Sequence, residues 1–295
     1  MSRWSLALIR ANRMSFGTTP DGQKRVARLV RVVEGLPAVN TTGESQTNDF
    51  EDNQATADRA IAAIRIIAAA LNGVAKAGAS RSLTPTTTQR VFLLAYGWFA
   101  SIVRTGELIV LGHENGLRHE CSASARAVQQ YTLALQWLTE GGDPAFDAVE
   151  ADAERRAYDL LKELNDTGWP IPAGFTMQVT NRPAKSGALE EQISNYKAMC
   201  VLYKGGDQLY VPYRLQSGYA HPSYVGAQAY LIPEKGELSP TAVTDTYAHL
   251  IETARCLIQA GLAFATLLVD NLLANEVANA QRALGMEFGL WERLP

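Results

Sequence analysis

Two apolar stretches, Val91 to Val103 and Cys256 to Val269, constrain this chain most. Both fall short of the ~18–20 apolar residues that span a bilayer. Charges close them: Arg104 and Glu107 come after the first, and Arg255 and Asp270 bracket the second. Buried helices fit these limits. The same period recurs upstream, where Ile61, Ile64, Ile67, Ala68 and Leu71 share one face of a helix predicted over Asp49 to Leu71. Asn72-Gly73 weakens or ends it.

The remaining punctuation predicts more helices. Thr84 is placed as a cap and Pro85 at the first position of a helix running to about Leu111, with Gly112 as its stop. A second long helix is expected from Asn115 to Thr139, ended by Gly141-Gly142, and another from Asp147 to Leu164. Trp169-Pro170-Ile171-Pro172 cannot continue it, because proline lacks a donor and restricts the residue before it. Further helices are predicted over Ala188 to Leu202, Gln208 to Ala220, Tyr224 to Ile232 and Thr241 to Arg282. Thr176 to Thr180 is the best alternating window, and it stands alone. The expectation is an all-α bundle of about seven to nine helices with little or no sheet. Its core is drawn from Pro85 to Leu111, Asn115 to Thr139 and Thr241 to Arg282.

Composition sets the outer bounds. With 295 residues, 47% of them hydrophobic, the chain can bury a sizeable core, which excludes a disordered, collagen-like or disulfide-stapled class. Cys121, Cys200 and Cys256 are too few and too scattered for a disulfide framework or a cysteine-rich zinc site. With no signal segment or membrane span read, a cytoplasmic protein without a membrane partner is expected. A basic N-terminal arm and polar linker occupy 1–48, and a single helical domain occupies 49–295. The formal net charge is −3, so no global field draws the chain to nucleic acid. Locally, residues 1–36 carry an excess of positive charge and residues 140–166 an excess of negative charge. These runs read first as two solvated faces; the sharper alternatives are that the basic arm docks on the acidic surface or touches RNA phosphates.

Phosphate-loop, nucleophile-elbow and His-Glu-x-x-His signatures are absent, and no cofactor or metal is implied. His113 and His119 are six residues apart, which turns them away from each other on a helix. Arg104 and Arg126 sit among apolar and small residues, with Glu107 as the candidate partner of either. The most informative segment is Tyr210 to Ser223. On a helix, Arg214, Ser217, Gly218 and His221 lie on one face, and Gly218 opens a groove between Arg214 and His221. An arginine that holds phosphate charge beside a histidine that moves protons suits phosphodiester chemistry.

Three pieces carry a resemblance. Ser122 to Tyr131 with Arg126, then Tyr196-Lys197, then Ser217-Gly-Tyr-Ala-His221-Pro222-Ser223, resemble an uncharacterised family of helical bacterial domains over roughly residues 85–270. That family's carboxylate after the arginine falls near Gln129 and Gln130 here. The Arg214-to-His221 spacing also resembles the signature of HEPN ribonucleases, helical metal-independent RNA-cutting domains of toxin and defence systems. The HEPN resemblance implies an RNA-binding or RNA-cleaving protein, dimeric through helices, with Arg214 as phosphate ligand and His221 as general acid or base. Arg126, Ser217, Tyr219 and Tyr131 are the expected ligand-binding residues. Two other readings stay open: a non-catalytic interaction protein with a buried Arg/His network, and a small-ligand pocket lined by Arg126, Tyr131 and His221.

Overall fold

The computed structural model describes residues 53–77, 83–170, 182, 184, 187–232, 237–243, 246–269 and 273–295. The basic arm and linker of 1–48 and the alternating window 176–180 lie outside them. The described residues form an all-α bundle of nine helices with one two-stranded antiparallel ribbon.

Helix α1 spans Gln54–Ala77. Asn53 starts it, its Oδ1 accepting from the Thr56 amide at 3.0 Å. It runs past Asn72-Gly73 because Val74, on the same stripe as Ile67 and Leu71, is buried, while 72 and 73 face outward. Helix α2 spans Gln89–Glu114 and is capped by Thr88 rather than Thr84. Thr84 instead closes a turn with Thr87 and donates its amide to the Leu267 carbonyl at 3.0 Å. Gly112 does not stop α2. It makes room for a neighbour, since a Cβ there would lie 2.4 Å from Cys121 Sγ. The reversal comes at Gly116, with φ +76°, and the Leu117 amide returns to the Gly112 carbonyl at 2.8 Å.

Helix α3 spans Ser122–Thr167 as two helical segments that meet at a kink, so the break expected at Gly141-Gly142 is present. Gly142 (φ 59°, ψ −139°) makes the bend, and Pro144 comes just after it, where a new first turn lacks donors to lose. The expected helix Ala188 to Leu202 is two short ones, α4 (Ala188–Ser194) and α5 (Tyr196–Cys200). Asn195 parts them, because its Oδ1 caps the amides of Lys197 and Ala198.

Helix α6 spans Gly206–Ala220 and α7 Tyr224–Gln228. The expected helix to Ile232 gives way to strands β1 (Leu231–Ile232) and β2 (Glu237–Leu238), which pair antiparallel. The expected helix Thr241 to Arg282 is likewise two, α8 (Ala248–Ala265) and α9 (Ala274–Leu284). Leu83 bridges Leu268 in the gap, and Thr84 takes the Leu267 carbonyl that a continuing helix would have used.

Helix α8 is the central element and packs on α1, α2, α3 and α9. Its Leu250, Leu257, Ile258 and Phe264 are fully buried. Phe264 stacks on Phe99 of α2 at 5.0 Å between ring centroids. Gln136 of α3, also fully buried, meets Gln259 of α8 at 2.8 Å and donates to the Trp291 carbonyl at 2.7 Å. That bond and the Tyr203–Arg293 bridge hold the C-terminal residues onto α3 and the chain just after α5.

Candidate functional site

The C-terminal end of α6 meets the first turns of α3. Pro222 disfavours a helical residue before it, and His221 is extended, with φ −113° and ψ 154°. Ser223 fixes the turn beyond the proline. Its hydroxyl donates to the Gly218 carbonyl and accepts from the Gly226 amide, tying the end of α6 to the start of α7.

His221 is exposed, and its Nε2 lies 2.9 Å from Arg126 Nη1. Arginine only donates, so Nε2 accepts and the ring proton of this pair sits on Nδ1. The Arg126 guanidinium also covers the Tyr213 ring at 4.9 Å. Tyr213 belongs to a three-ring group, 4.4 Å from Tyr196 and 5.8 Å from Tyr210, and Lys197 Nζ lies over Tyr210 at 5.8 Å. Arg126 and Lys197 thus put two cations on one tyrosine cluster.

A second aromatic wall lies alongside. The His119 ring is held edge-on by Tyr219 at 5.1 Å and Tyr230 at 5.6 Å. Partial burial lowers its pKa, against the opposing pull of Glu120, so its neutral form is favoured. The Tyr230 hydroxyl donates to Glu120, and that bond raises the Tyr230 pKa.

The structure therefore brings Arg126, His221 and Tyr219 to one end of α6. Arg214 is on the exposed side of the same helix, with no hydrogen bond or ion pair to another described residue. It lies roughly 10 Å along the axis before His221, about two turns. Gly218 has open space where a Cβ would be. Ser217 turns inward, donating to the Tyr213 carbonyl at 2.7 Å. Tyr131 sets its ring edge-on against Trp98 of α2 at 6.2 Å.

One expectation changes, and the separation expected of His113 and His119 holds. Glu107 does pair with Arg104, at 2.6 Å, but on the surface, with the arginine side chain 75% exposed. Arg126 takes His221 instead. His113 and His119 part company: His113 packs against Tyr247 and His249, His119 against Tyr219 and Tyr230. Among the described residues, no group of three or more His, Cys, Asp or Glu side chains is placed to hold a metal ion. Sequence reasoning missed the Tyr196–Tyr210–Tyr213 cluster. Tyr210 and Tyr213 show an i, i+3 pair, but the third ring arrives from another helix.

The fold and the site define an all-α bundle with an exposed arginine–histidine pair between tyrosine walls. The chain matches no family model, no curated protein and no solved structure.

Proposed function

We propose that the protein binds RNA where α6 meets α3 and cleaves its phosphodiester backbone without a metal ion, as HEPN-like proteins of toxin and defence systems do. The observation that supports this is the Arg126–His221 pair, joined at 2.9 Å from positions 95 residues apart. A bound phosphate competes for the Arg126 guanidinium, which matches two phosphate oxygens better than one ring nitrogen. His221 Nε2 is then released to take the proton of a 2′-hydroxyl, whose oxygen bonds to phosphorus as a 2′,3′-cyclic phosphate while the bond to the 5′-oxygen breaks and that oxygen takes up a proton from the imidazolium or from water. Arg214 adds a second positive charge along the strand. Displacing Arg126 from the half-buried Tyr213 ring would uncover a face on which a base can stack.

A second reading has its own support. Arg126 is already satisfied within the chain by His221 and Tyr213, and the Ser217 hydroxyl is committed to a carbonyl. The same residues then serve as a non-catalytic tie between α3 and α6 in an interaction protein.

The test is a labelled mixed-sequence RNA incubated in EDTA with wild type, His221→Ala and Arg214→Ala. Cleavage by wild type that His221→Ala abolishes, with a melting temperature lowered by no more than a few degrees, supports the RNA reading. Absence of both cleavage and salt-dependent RNA binding in the wild type overturns it. A large fall in melting temperature in His221→Ala favours the tie.

A further inference from the structure

The N-terminus of α8 meets the last turn of α2 through side chains that carry or can take positive charge. His249 stands in the first turn of α8 and His113 in the last turn of α2, with ring centroids 5.4 Å apart. His113 is only 6% exposed. Nδ1 of His113 and Nε2 of His249 are buried and have no hydrogen-bond partner among the described residues. The reversal at Gly116 brings Arg118 back to the same place, where its guanidinium covers the Tyr247 ring at 4.8 Å. That guanidinium makes no hydrogen bond or ion pair to another described residue. Tyr247, the cap of α8, supplies no side-chain acceptor to the first turn, and the Thr246 hydroxyl takes the Ala248 amide at 3.2 Å. The acids that act on His113 are engaged elsewhere: Glu114 accepts from Arg65 at 2.6 Å and Asp58 from Gln54 at 2.8 Å.

We propose that this is a binding site for a phosphate group, held by the Arg118 guanidinium, the His113 and His249 imidazoles and the positive end of α8. Buried nitrogens left unpaired and a half-buried guanidinium without a counter-ion both cost stability, and one anion relieves both. Arg118 repels a cation. A water molecule answers the two nitrogens but not the guanidinium charge. Donors arrive from α2, from α8 and from the loop after α2, so they surround a tetrahedral oxyanion more fully than a planar carboxylate. The carbonyl end of α2 does not oppose the anion strongly. Its Leu111, Gly112 and His113 carbonyls already accept from the amides of Asn115, Leu117 and Gly116.

Binding takes up protons from solvent. Without the anion, burial and the Arg118 charge hold both imidazoles neutral, against Glu114 and Asp58 at His113, and the pKa of His249 falls to about 3. A phosphate beside them reverses the local field. Each imidazole then gains a proton and donates from the nitrogen that is otherwise unpaired. The site is separate from the Arg126–His221 pair and stands independently of the RNA reading. Arg118 directly precedes His119 of the aromatic wall, so the phosphate is either a free anion or one group of a strand that crosses that wall.

The experiment follows the histidine ring nitrogens of the full chain by NMR at about pH 6 while inorganic phosphate is added at constant ionic strength. In wild type the His113 and His249 rings are expected to start neutral and to take up protons saturably. Sulfate, whose charge is fixed over this range, should bind roughly tenfold more tightly per unit fall in pH for each proton taken up. Arg118→Gln is expected to keep its melting temperature within a few degrees and to respond at least about tenfold more weakly. A response to inorganic phosphate alone supports a free anion. A response to a 5′-hydroxyl RNA oligomer supports a strand phosphate. Rings that stay neutral under both overturn the proposal, as does an equal response in Arg118→Gln or an equal response to acetate.

Discussion

His113 of α2 and His249 of α8 face each other with ring centroids 5.4 Å apart. Each keeps one buried ring nitrogen with no hydrogen-bond partner among the described residues, Nδ1 of His113 and Nε2 of His249. The Tyr247 ring lies 5.5 Å from His113, and the Arg118 guanidinium sits 4.8 Å from the centre of that tyrosine ring. Burial lowers the pKa of both histidines, and the charge of Arg118 adds to it, while Glu114 and Asp58 oppose it at His113. For His249 the fall reaches about 3.

Acid should therefore loosen the contact of α2 with α8. Both imidazoles are neutral in the folded chain, whereas an unfolded histidine takes a proton near pH ~6.5. Stability is fully present above that pH and is lost as pH falls towards the folded value of about 3 for His249. Each unit is at most about 1.4 kcal/mol, so up to about 3 kcal/mol is lost between pH 6.5 and 4. Urea titrations at stepwise pH should show this slope in wild type and a flatter one in His249→Gln. Equal slopes would remove the pair as its source.

The Arg126–His221 bond should register as coupling rather than as bulk stability. Arg126→Ala and His221→Ala are each expected to cost about 0.5–1.5 kcal/mol, and the double variant little more than one of them. Strict additivity in denaturant melts would mean that the contact contributes nothing in solution.

Gly112→Ala should destabilise by about 1–3 kcal/mol, because overpacking forces a neighbour to move. The added methyl meets Cys121 Sγ at 2.4 Å. Cys121→Ala in the same chain removes that sulfur and should recover part of the loss. Thermal melts of the two single variants and the double variant decide it.

Gln136→Leu should release the C-terminal residues. It removes the partner of Gln259 and of the Trp291 carbonyl, at a cost of about 1–3 kcal/mol for buried polar groups left unpaired. The readout is quenching of tryptophan fluorescence by iodide, which should increase. Unchanged accessibility would show that the tail holds without that amide.

The helical class and the core stripes were legible because local periodicity carries them. Val91, Ala95, Phe99 and Ile102 repeat at helix spacing and are buried. Where elements stop was less legible. Gly112 looks like a terminator, yet it makes room for the Cys121 sulfur, whereas Gly141-Gly142 does break the helical run, at the non-helical Gly142. The break between α8 and α9 depends on residues 83 and 84, far away in sequence, so no local pattern marks it. The site divides the same way. Arg214 and Ser217 lie on α6 and His221 follows directly at its end, with an extended backbone, so the three could be read together although they do not share one helix face. The partner of Arg126 could not, because helix order in space decides it.

The placement of α8 has a kinetic consequence. Its neighbours α1, α2 and α3 all precede it by long stretches of chain, and none of them has a closed core until it arrives. Hairpin-by-hairpin growth therefore cannot complete this bundle. Closing the core on contacts this distant in sequence makes the chain slower to fold than a helical protein built from local pairs alone. Until α8 inserts, Phe99 lacks the Phe264 ring on which it stacks, and apolar surface left open in this way favours aggregation.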